Sequence, residues 1–392
     1  MITTGVWGGQ WRADVTAGGG LEPWRDGRPV HWHVAADDRW HSPEQESSVR
    51  QRRIAGTPVV ETRVRIPQGD AIQQIWTTAD HGGLTIIAVE NASPLPIVVA
   101  FTHPGLLSAR PGSSHIEGIE LPEGTTAYPV GHRARLVVAL PHSDPLPASL
   151  AGGLPTDLPT ADGVARGWTV VADKAGRMVL PESEWTERVV AERCELALGG
   201  PERPDLDAVG FVLGVDQLVR MGDSAHEWMP DLAAAVERAA RHQSDDWAYA
   251  IALDRAAAVA VTAGDDRAAR DLAALAARTA GGVSPRPAEP PLAGVRFLAW
   301  VETMLVSVTS QGASLLPFGF PQEWLGQSLE AHRMPAGAGR TASFAVRWHG
   351  ARPAVLWEQT GGGTLTAPAT APSWSTAEAS GETLWPEPVS AP

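Results

Sequence analysis

Apolar and polar residues alternate along residues 1–200 in the pattern of half-buried β-strands. One face of the segment 59–66 is apolar or carries threonine, and its members are Val60, Thr62, Val64 and Ile66. The same reasoning predicts strands at residues 72–77, 84–90, 97–102, 135–140 and 168–172, and it also admits a strand at residues 187–198. Turn-forming segments separate the first of these strands. The pattern therefore predicts a large antiparallel β-sandwich.

The pattern becomes helical in residues 201–302. Helices are predicted at residues 231–242, 245–262, 265–278 and 292–302. Ser244 is placed to cap the second helix, and Gly264 is placed to end it. Asp265 is placed to cap the third helix, which Gly281 and Gly282 are expected to close. The short turn at residues 264–265 predicts an αα-hairpin whose alanine-rich faces allow close packing.

Strand alternation returns after residue 302, and the segments 343–348 and 352–358 flank a His349-Gly350 turn typical of a β-hairpin. The predicted fold class is α+β, mainly β with a short helical middle. We expect a β-sandwich domain at residues 1–200, a helical segment at 201–302 and a C-terminal β-sheet domain at 303–392. The tail after Pro386 is expected to fray.

Charge and cysteine content narrow the classes of partner and compartment. The formal net charge of −14 argues against nucleic-acid phosphates and anionic membranes as partners. Cys194 is the single cysteine, so no internal disulfide can form, and a reducing cytoplasm is the expected compartment. The glycine runs at residues 18–20 and 361–363 lack a phosphate-loop pattern, and no cofactor is expected.

Tryptophan is unusually frequent, with sixteen residues against two tyrosines and six phenylalanines. An indole beside polar neighbours suits stacking on a sugar ring, and it suits a β-sandwich core equally well. The residues predicted to bind a ligand are Trp40, Trp324, Trp348 and Trp357, with Asp37 and His349 beside them as hydrogen-bonding partners.

Several segments at the two ends of the chain resemble a known family. They are VRQRR at 49–53, GTPVVET at 56–62, VENASPLP at 89–96, LLP at 315–317, WLG at 324–326, LEAH at 329–332, RWHG at 347–350 and RPAVLWE at 352–358. They resemble the leading β-supersandwich and the closing β-domain of bacterial proteins related to glucoamylases and other six-hairpin glycosidases. The resemblance implies a carbohydrate-related scaffold.

The helical middle departs from that family, whose catalytic carboxylates lie on a closed ring of paired helices. Residues 201–302 have room for roughly four to six helices of typical length. The sequence therefore predicts that the ring is missing, and no catalytic position is carried over from the resemblance.

Glycoside hydrolysis needs two carboxyl groups about 5–10 Å apart. The weak candidates for such a pair are Glu323 or Glu330 with Glu358. The alternative is structural, with Glu330 and Glu358 pairing with Arg333, Arg347 or Arg352.

His31 and His33 are weak candidates for metal ligands, because residues two apart in a strand face the same way. Asp37, Asp38 or His41 could complete such a site. No spacing indicates which residue would be the third ligand, and no metal is expected.

The function favoured by the sequence is non-catalytic recognition of a glycan, or an interaction role on a glycosidase-like scaffold. One alternative is a reduced glycoside hydrolase that uses a carboxylate pair. Another is an assembly module in which the alanine-rich helices form a homo-oligomer.

Overall fold

The computed structural model describes residues 1–25, 27–117, 120–143, 145–279, 282–284 and 286–388. The chain divides into two compact units, Met1–Thr169 and Val170–Pro392, here called the N-terminal and C-terminal units. The predicted division at residues 200 and 302 stays a prediction. Gly281 and the end of the tail predicted to fray, residues 389–392, lie outside the described residues.

The N-terminal unit consists mainly of strands. They are β1 Ile2–Gly5, β2 Arg12–Val15, β3 Leu21–Pro23, β4 Trp32–Ala35, β5 Trp40–His41, β6 Arg50–Arg53, β7 Val60–Ile66, β8 Gly69–Thr78, β9 Leu84–Asn91, β10 Ile97–Phe101, β11 Leu107–Ser108, β12 Thr126–Val130 and β13 Arg135–Pro141. They form sheets of order β1-β2-β3, β12-β10-β4-β5 and β11-β13-β9-β8-β7-β6. One apolar core draws side chains from all three sheets, which confirms the predicted sandwich.

The six-stranded sheet is apolar on both faces. In β9, Ile87 and Val89 enter the sandwich core, whereas Ile86 and Ala88 enter a second cluster on the other face. Helix α1, Ala161–Asp173, begins in this unit, and its Ala165 belongs to the second cluster. A strand buried on both sides reads as a continuous apolar run, as β9 does.

Helices occupy the first half of the C-terminal unit and strands most of the second. The elements are β14 Arg177–Val179, α2 Ser183–Gly199, α3 Ala208–Met221, α4 Ala225–His242, α5 Tyr249–Thr262, α6 Asp266–Thr279, α7 Gly294–Leu305, β15 Val306–Val308, β16 Gly312–Leu315, β17 Leu329–Pro335, β18 Thr341–His349, β19 Arg352–Thr360, β20 Thr364–Thr366, β21 Ser375–Thr376 and β22 Ser380–Leu384. The strands form sheets of order β14-β17-β18-β19-β22 and β15-β16-β20-β21.

Helix α7 contributes to both cores of the C-terminal unit. Leu298 and Trp300 belong to the core shared with the strands, and Ala299 belongs to the core of α3, α4, α5 and α6. The alanine faces predicted to pack closely do so inside this unit, where Ala256 of α5 and Ala276 of α6 are in the same cluster. In the described part of the chain, no helix combines the length and the apolar character needed to span a membrane.

The α+β fold class is confirmed, with helices and strands each at 30 % of the chain. The helical share is larger than expected, because two predicted strands are wrong. Residues 168–172 lie in α1, and residues 187–198 lie in α2. Their buried positions recur at helical spacing, as in Ala161, Ala165, Trp168 and Ala172 of α1.

The predicted helices are confirmed with shifted ends, and α3 is a helix that was not predicted. Helix α5 begins at Tyr249 rather than near Asp245, because the Asp246 carboxylate accepts the Ala248 N–H (2.8 Å) in a turn before it. Asp265 caps α6 as predicted by accepting the Ala268 N–H (2.9 Å). The hairpin is also confirmed, since β18 and β19 pair from His349 with Arg352 to Thr341 with Thr360.

We expect Ile75→Ala in β8 to lower the free energy of unfolding of the N-terminal unit by about 2–5 kcal/mol, because a fully buried side chain leaves a cavity. Leu95→Ala is the matched control, since Leu95 is 39 % exposed and should change the free energy by less than about 1 kcal/mol. Urea unfolding of both variants tests this. Equal losses would contradict the burial of Ile75.

Candidate functional site

Two of the tryptophans predicted to bind a ligand are core residues of the C-terminal unit. Trp324 has no exposed surface, and its indole Nε1 donates a hydrogen bond to the Glu182 carboxylate. Trp357 is 8 % exposed and meets Trp374 edge to face with 5.3 Å between ring centroids. Neither ring has an open face for a sugar. Trp324 and Trp357 therefore have the core role that the sequence allowed as the alternative to ligand binding.

The other four predicted ligand-binding residues are more accessible and belong to different units. Trp348 is half-buried, donates to the Gln327 carbonyl (2.7 Å), and is followed by the exposed His349. Trp40 of the N-terminal unit donates to the Glu120 carbonyl (2.7 Å), and Asp37 near it is exposed. These indole N–H groups are already satisfied within the protein.

Two of the three candidate carboxylates of the C-terminal unit are exposed, and the third is held by neighbouring side chains. Glu330 accepts from Arg347 (2.6 Å) and contacts His332 (3.3 Å), which confirms one structural pair expected from the sequence. Hydrogen bonds from His332 and Arg347 lower the pKa of Glu330. Glu323 and Glu358 are exposed, and Glu358 in β19 lies in register with Ser343 and Ser380.

Arg333 and Arg352 do not pair with Glu358 as that alternative allowed. Arg333 donates to the Asp173 carbonyl (2.9 Å), and Arg352 donates to the Trp385 carbonyl (3.0 Å).

The two histidines predicted as weak metal candidates lie on β4 and just before it. His33 Nδ1 is 2.9 Å from Ser42 Oγ, and burial, together with the neighbouring His31, lowers the pKa of His33. Across the residues that the structure describes, no group of three or more His, Cys, Asp or Glu side chains is arranged to hold a metal ion.

A cavity of about 670 Å³ lies in the C-terminal unit between α5, α6, the end of α7 and the turn before β18. Its size is typical of a small-molecule site. Apolar surface comes from Trp247, Phe318 and alanines of α5 and α6, and hydroxyl groups come from Thr303, Ser307, Thr309 and Ser310. The charged lining residues are Asp254, Arg255, Arg286 and Arg340, none of which was predicted as a site residue.

Asp254 on α5 is a partly buried carboxyl group that lines the cavity. Burial raises its pKa to about 6, although Arg255 and Arg340 act in the opposite direction. None of the described residues forms a hydrogen bond or salt bridge with its carboxylate. Such a group changes charge close to neutral pH.

Arg286 contacts two aromatic rings. Its guanidinium carbon lies 4.3 Å from the centroid of the Trp300 ring and 4.2 Å from that of Phe318, which is cation–π geometry. The Nε and Nη1 atoms of Arg286 are buried, and no acceptor for them exists among the described residues. Burial lowers the pKa of this side chain.

The side chain of Arg340 passes three glycines that have positive φ. A Cβ atom would lie 2.9 Å from Nε at Gly337 (φ 120°), 2.7 Å from Cγ at Gly361 (φ 78°) and 2.9 Å from Nη1 at Gly363 (φ 109°). Side chains at these positions would displace the arginine. Within the described part of the chain, the Arg340 guanidinium donates no hydrogen bond.

One wall of the cavity rests on a buried ionic network centred on Glu302 of α7. Its carboxylate accepts from Arg220 (2.8 Å), Arg193 (3.2 Å) and Arg255 (3.2 Å). Asp216 also pairs with Arg220 (2.8 Å). Burial alone raises the pKa of Glu302, but Arg220, Arg255 and Arg193 outweigh it and lower the pKa to about 2.

The sequence does mark Asp254, Arg255 and Glu302, because each is a charged residue within an apolar run. Asp254 and Arg255 interrupt an alanine-rich helix, and Glu302 interrupts the run from Phe297 to Val308. A charge on an otherwise buried helix must be paired or functional. Arg286 carries no such signal, because it stands in the proline-rich segment 284–291 between two predicted helices.

Comparisons of the chain with models of protein families, with characterised proteins and with solved structures find no match. The resemblance to six-hairpin glycosidases therefore rests on the quoted segments alone.

We expect Glu302→Gln to lower the free energy of unfolding at pH 7 by about 3–5 kcal/mol, because Arg193, Arg220 and Arg255 would share only one carboxylate, that of Asp216. The contribution of the charged glutamate is complete above its ordinary pKa of 4.5 and is lost as pH falls toward about 2. The variant and wild type should therefore converge on acidification. Glu358→Gln, at an exposed position, is the control, and chemical denaturation at several pH values is the measurement.

We expect Asp254→Asn to stabilise the protein at pH 7 and to have little effect at pH 4. The raised pKa means that the folded state binds the proton more tightly, so wild-type stability falls as pH rises from about 3.8 through about 6. The difference at pH 7 should be about 2–3 kcal/mol. Thermal unfolding across this range measures it, with the exposed Asp271→Asn as control. A difference that does not depend on pH would contradict the assignment.

Proposed function

We propose that the C-terminal unit binds a carbohydrate or a related small polar ring compound in the cavity beside α5 and α6, without cleaving it. The observation that carries this proposal is the composition of the cavity wall. Phe318 is 58 % exposed and adds aromatic surface to the cavity wall. Hydroxyl oxygens come from Thr309 and Ser310, and from Thr303 and Ser307, which donate to backbone carbonyls and can still accept a hydrogen bond. Flat apolar surface with a few placed polar groups is the usual design of a small-molecule site.

Binding is favoured over hydrolysis because of the number of carboxyl groups in the cavity. Both common glycosidase mechanisms use two of them, one on each side of the scissile bond. Asp254 is the one carboxylate among the described lining residues. Glu323, Glu330 and Glu358 do not line this cavity, so a reduced glycoside hydrolase has less support than a binding protein.

The resemblance of the two chain ends to six-hairpin glycosidases agrees with a carbohydrate ligand. A reducing compartment such as the cytoplasm is proposed, because Cys194 is the single cysteine. The homo-oligomer predicted from alanine-rich helices remains an alternative, but the buried alanines of α5 and α6 already pack against each other within one chain.

We expect Ala273→Trp to abolish sugar binding, because Ala273 of α6 lines the cavity and the indole would occupy its volume. Ala274→Trp is the matched control, since the next residue of the same helix is exposed and does not line the cavity. Binding of glucose, maltose, glucuronate and glucose 6-phosphate is measured by calorimetry, with circular dichroism to verify folding. Two results would refute the proposal. One is sugar binding that survives in Ala273→Trp, and the other is that none of the four sugars binds to the wild type.

A further inference from the structure

The cavity holds more positive charge than the protein around it can neutralise. Its three arginines face one carboxylate, Asp254. Arg255 is committed to the buried network through Glu302 (3.2 Å) and Asp216 (3.7 Å). Arg286 and Arg340 then remain against Asp254, in a chain whose overall charge is −14. A positive cavity in an acidic protein selects for the charge of its ligand.

We propose that the ligand is anionic and that Arg286 and Arg340 hold its carboxylate or phosphate group. This inference rests on the proposed function and specifies its ligand as an acidic sugar, such as a uronate or a sugar phosphate. A carboxylate is planar and a phosphate is tetrahedral, but both present anionic oxygens. Guanidinium groups recognise such oxygens by directed hydrogen bonds.

The surroundings of Arg286 favour an anion. Aromatic rings attract its positive charge but provide no oxygen acceptor for its N–H groups. A buried charged donor without an acceptor is destabilising, so a site of this kind persists where an incoming group can complete it. Phe318 packs against this guanidinium and also lines the cavity, so aromatic surface of the cavity lies next to the charge.

The surroundings of Arg340 favour the same conclusion independently. Gly337, Gly361 and Gly363 leave space for its side chain, yet the described residues offer its guanidinium no acceptor. Nearby Asp254 forms no salt bridge with it. The local backbone therefore accommodates a charged group whose hydrogen bonds are left for another molecule.

The test compares four probes by calorimetry on the full chain: glucose, glucuronate, glucose 6-phosphate and inorganic phosphate. The variants Arg286→Gln and Arg340→Gln each remove one positive charge. Arg340→Lys keeps the charge but lacks the planar guanidinium group. Arg241→Gln is the matched control, because Arg241 is an exposed arginine of α4 away from the cavity. Thermal unfolding shows whether each variant is folded. If Arg286→Gln does not fold, the comparison of Arg340→Gln with the wild type decides the result.

We expect an acidic sugar to bind at least about tenfold more tightly than glucose. Arg340→Gln should weaken it by about tenfold, Arg340→Lys by less, and Arg241→Gln should leave it unchanged. The comparison of glucuronate with glucose 6-phosphate tells a carboxylate from a phosphate.

Other outcomes separate this inference from the proposed function. Glucose binding as tightly as the acidic sugars would overturn the anionic ligand and leave sugar binding intact. A third outcome is that inorganic phosphate binds as tightly as glucose 6-phosphate and is weakened equally by Arg340→Gln. That result would support an anionic ligand and overturn the proposal that the ligand is a sugar. No binding of any probe would overturn both.

Discussion

The helical half of the C-terminal unit depends on the ion pairs that the Glu302 carboxylate forms with three arginines. Its partners come from three other helices, since Arg193 lies on α2, Arg220 on α3 and Arg255 on α5. Each arginine alone would be a buried charge with a large desolvation penalty. The shared carboxylate makes their positions interdependent, so these helices cannot shift without separating opposite charges.

The cavity lies beside that arrangement, because Arg255 belongs to both. Arg255 directs its charge to the network, while the preceding residue of α5, Asp254, lines the cavity and pairs with none of the described residues. Two consecutive residues of one helix thus carry a satisfied charge and an unsatisfied one. The network provides rigidity, and the cavity beside it contains the polar groups that remain available to a ligand.

The sandwich, the αα-hairpin and the C-terminal β-hairpin could be predicted from the sequence because their periodicity is strong over many residues. The strands predicted at residues 168–172 and 187–198 are wrong because a short apolar window does not distinguish a strand from a buried helix, whereas the spacing of Ala161, Ala165 and Trp168 does. Helix α3 is almost wholly buried, so its sequence lacks the contrast between an apolar and a polar face that predicts a helix.

The candidate site was much less accessible from the sequence. Tryptophan abundance reflects core packing as much as binding, and in this chain Trp185 packs edge to face against both Trp300 and Trp324. The charges at the cavity are brought together by contacts between residues far apart in the chain, such as Arg286 with Trp300 and Phe318. No local pattern encodes that meeting.

The passage of Arg340 beside Gly337, Gly361 and Gly363 has an evolutionary consequence. An alanine at Gly337 or Gly363 would meet the Arg340 guanidinium, and an alanine at Gly361 would also lie 2.6 Å from the Gly339 carbonyl oxygen. All three glycines have positive φ, so a side chain at any of them is strained even without the arginine. In diverging copies of this gene, the glycines should therefore outlast the arginine, and no copy should combine Arg340 with a substituted Gly337 or Gly363.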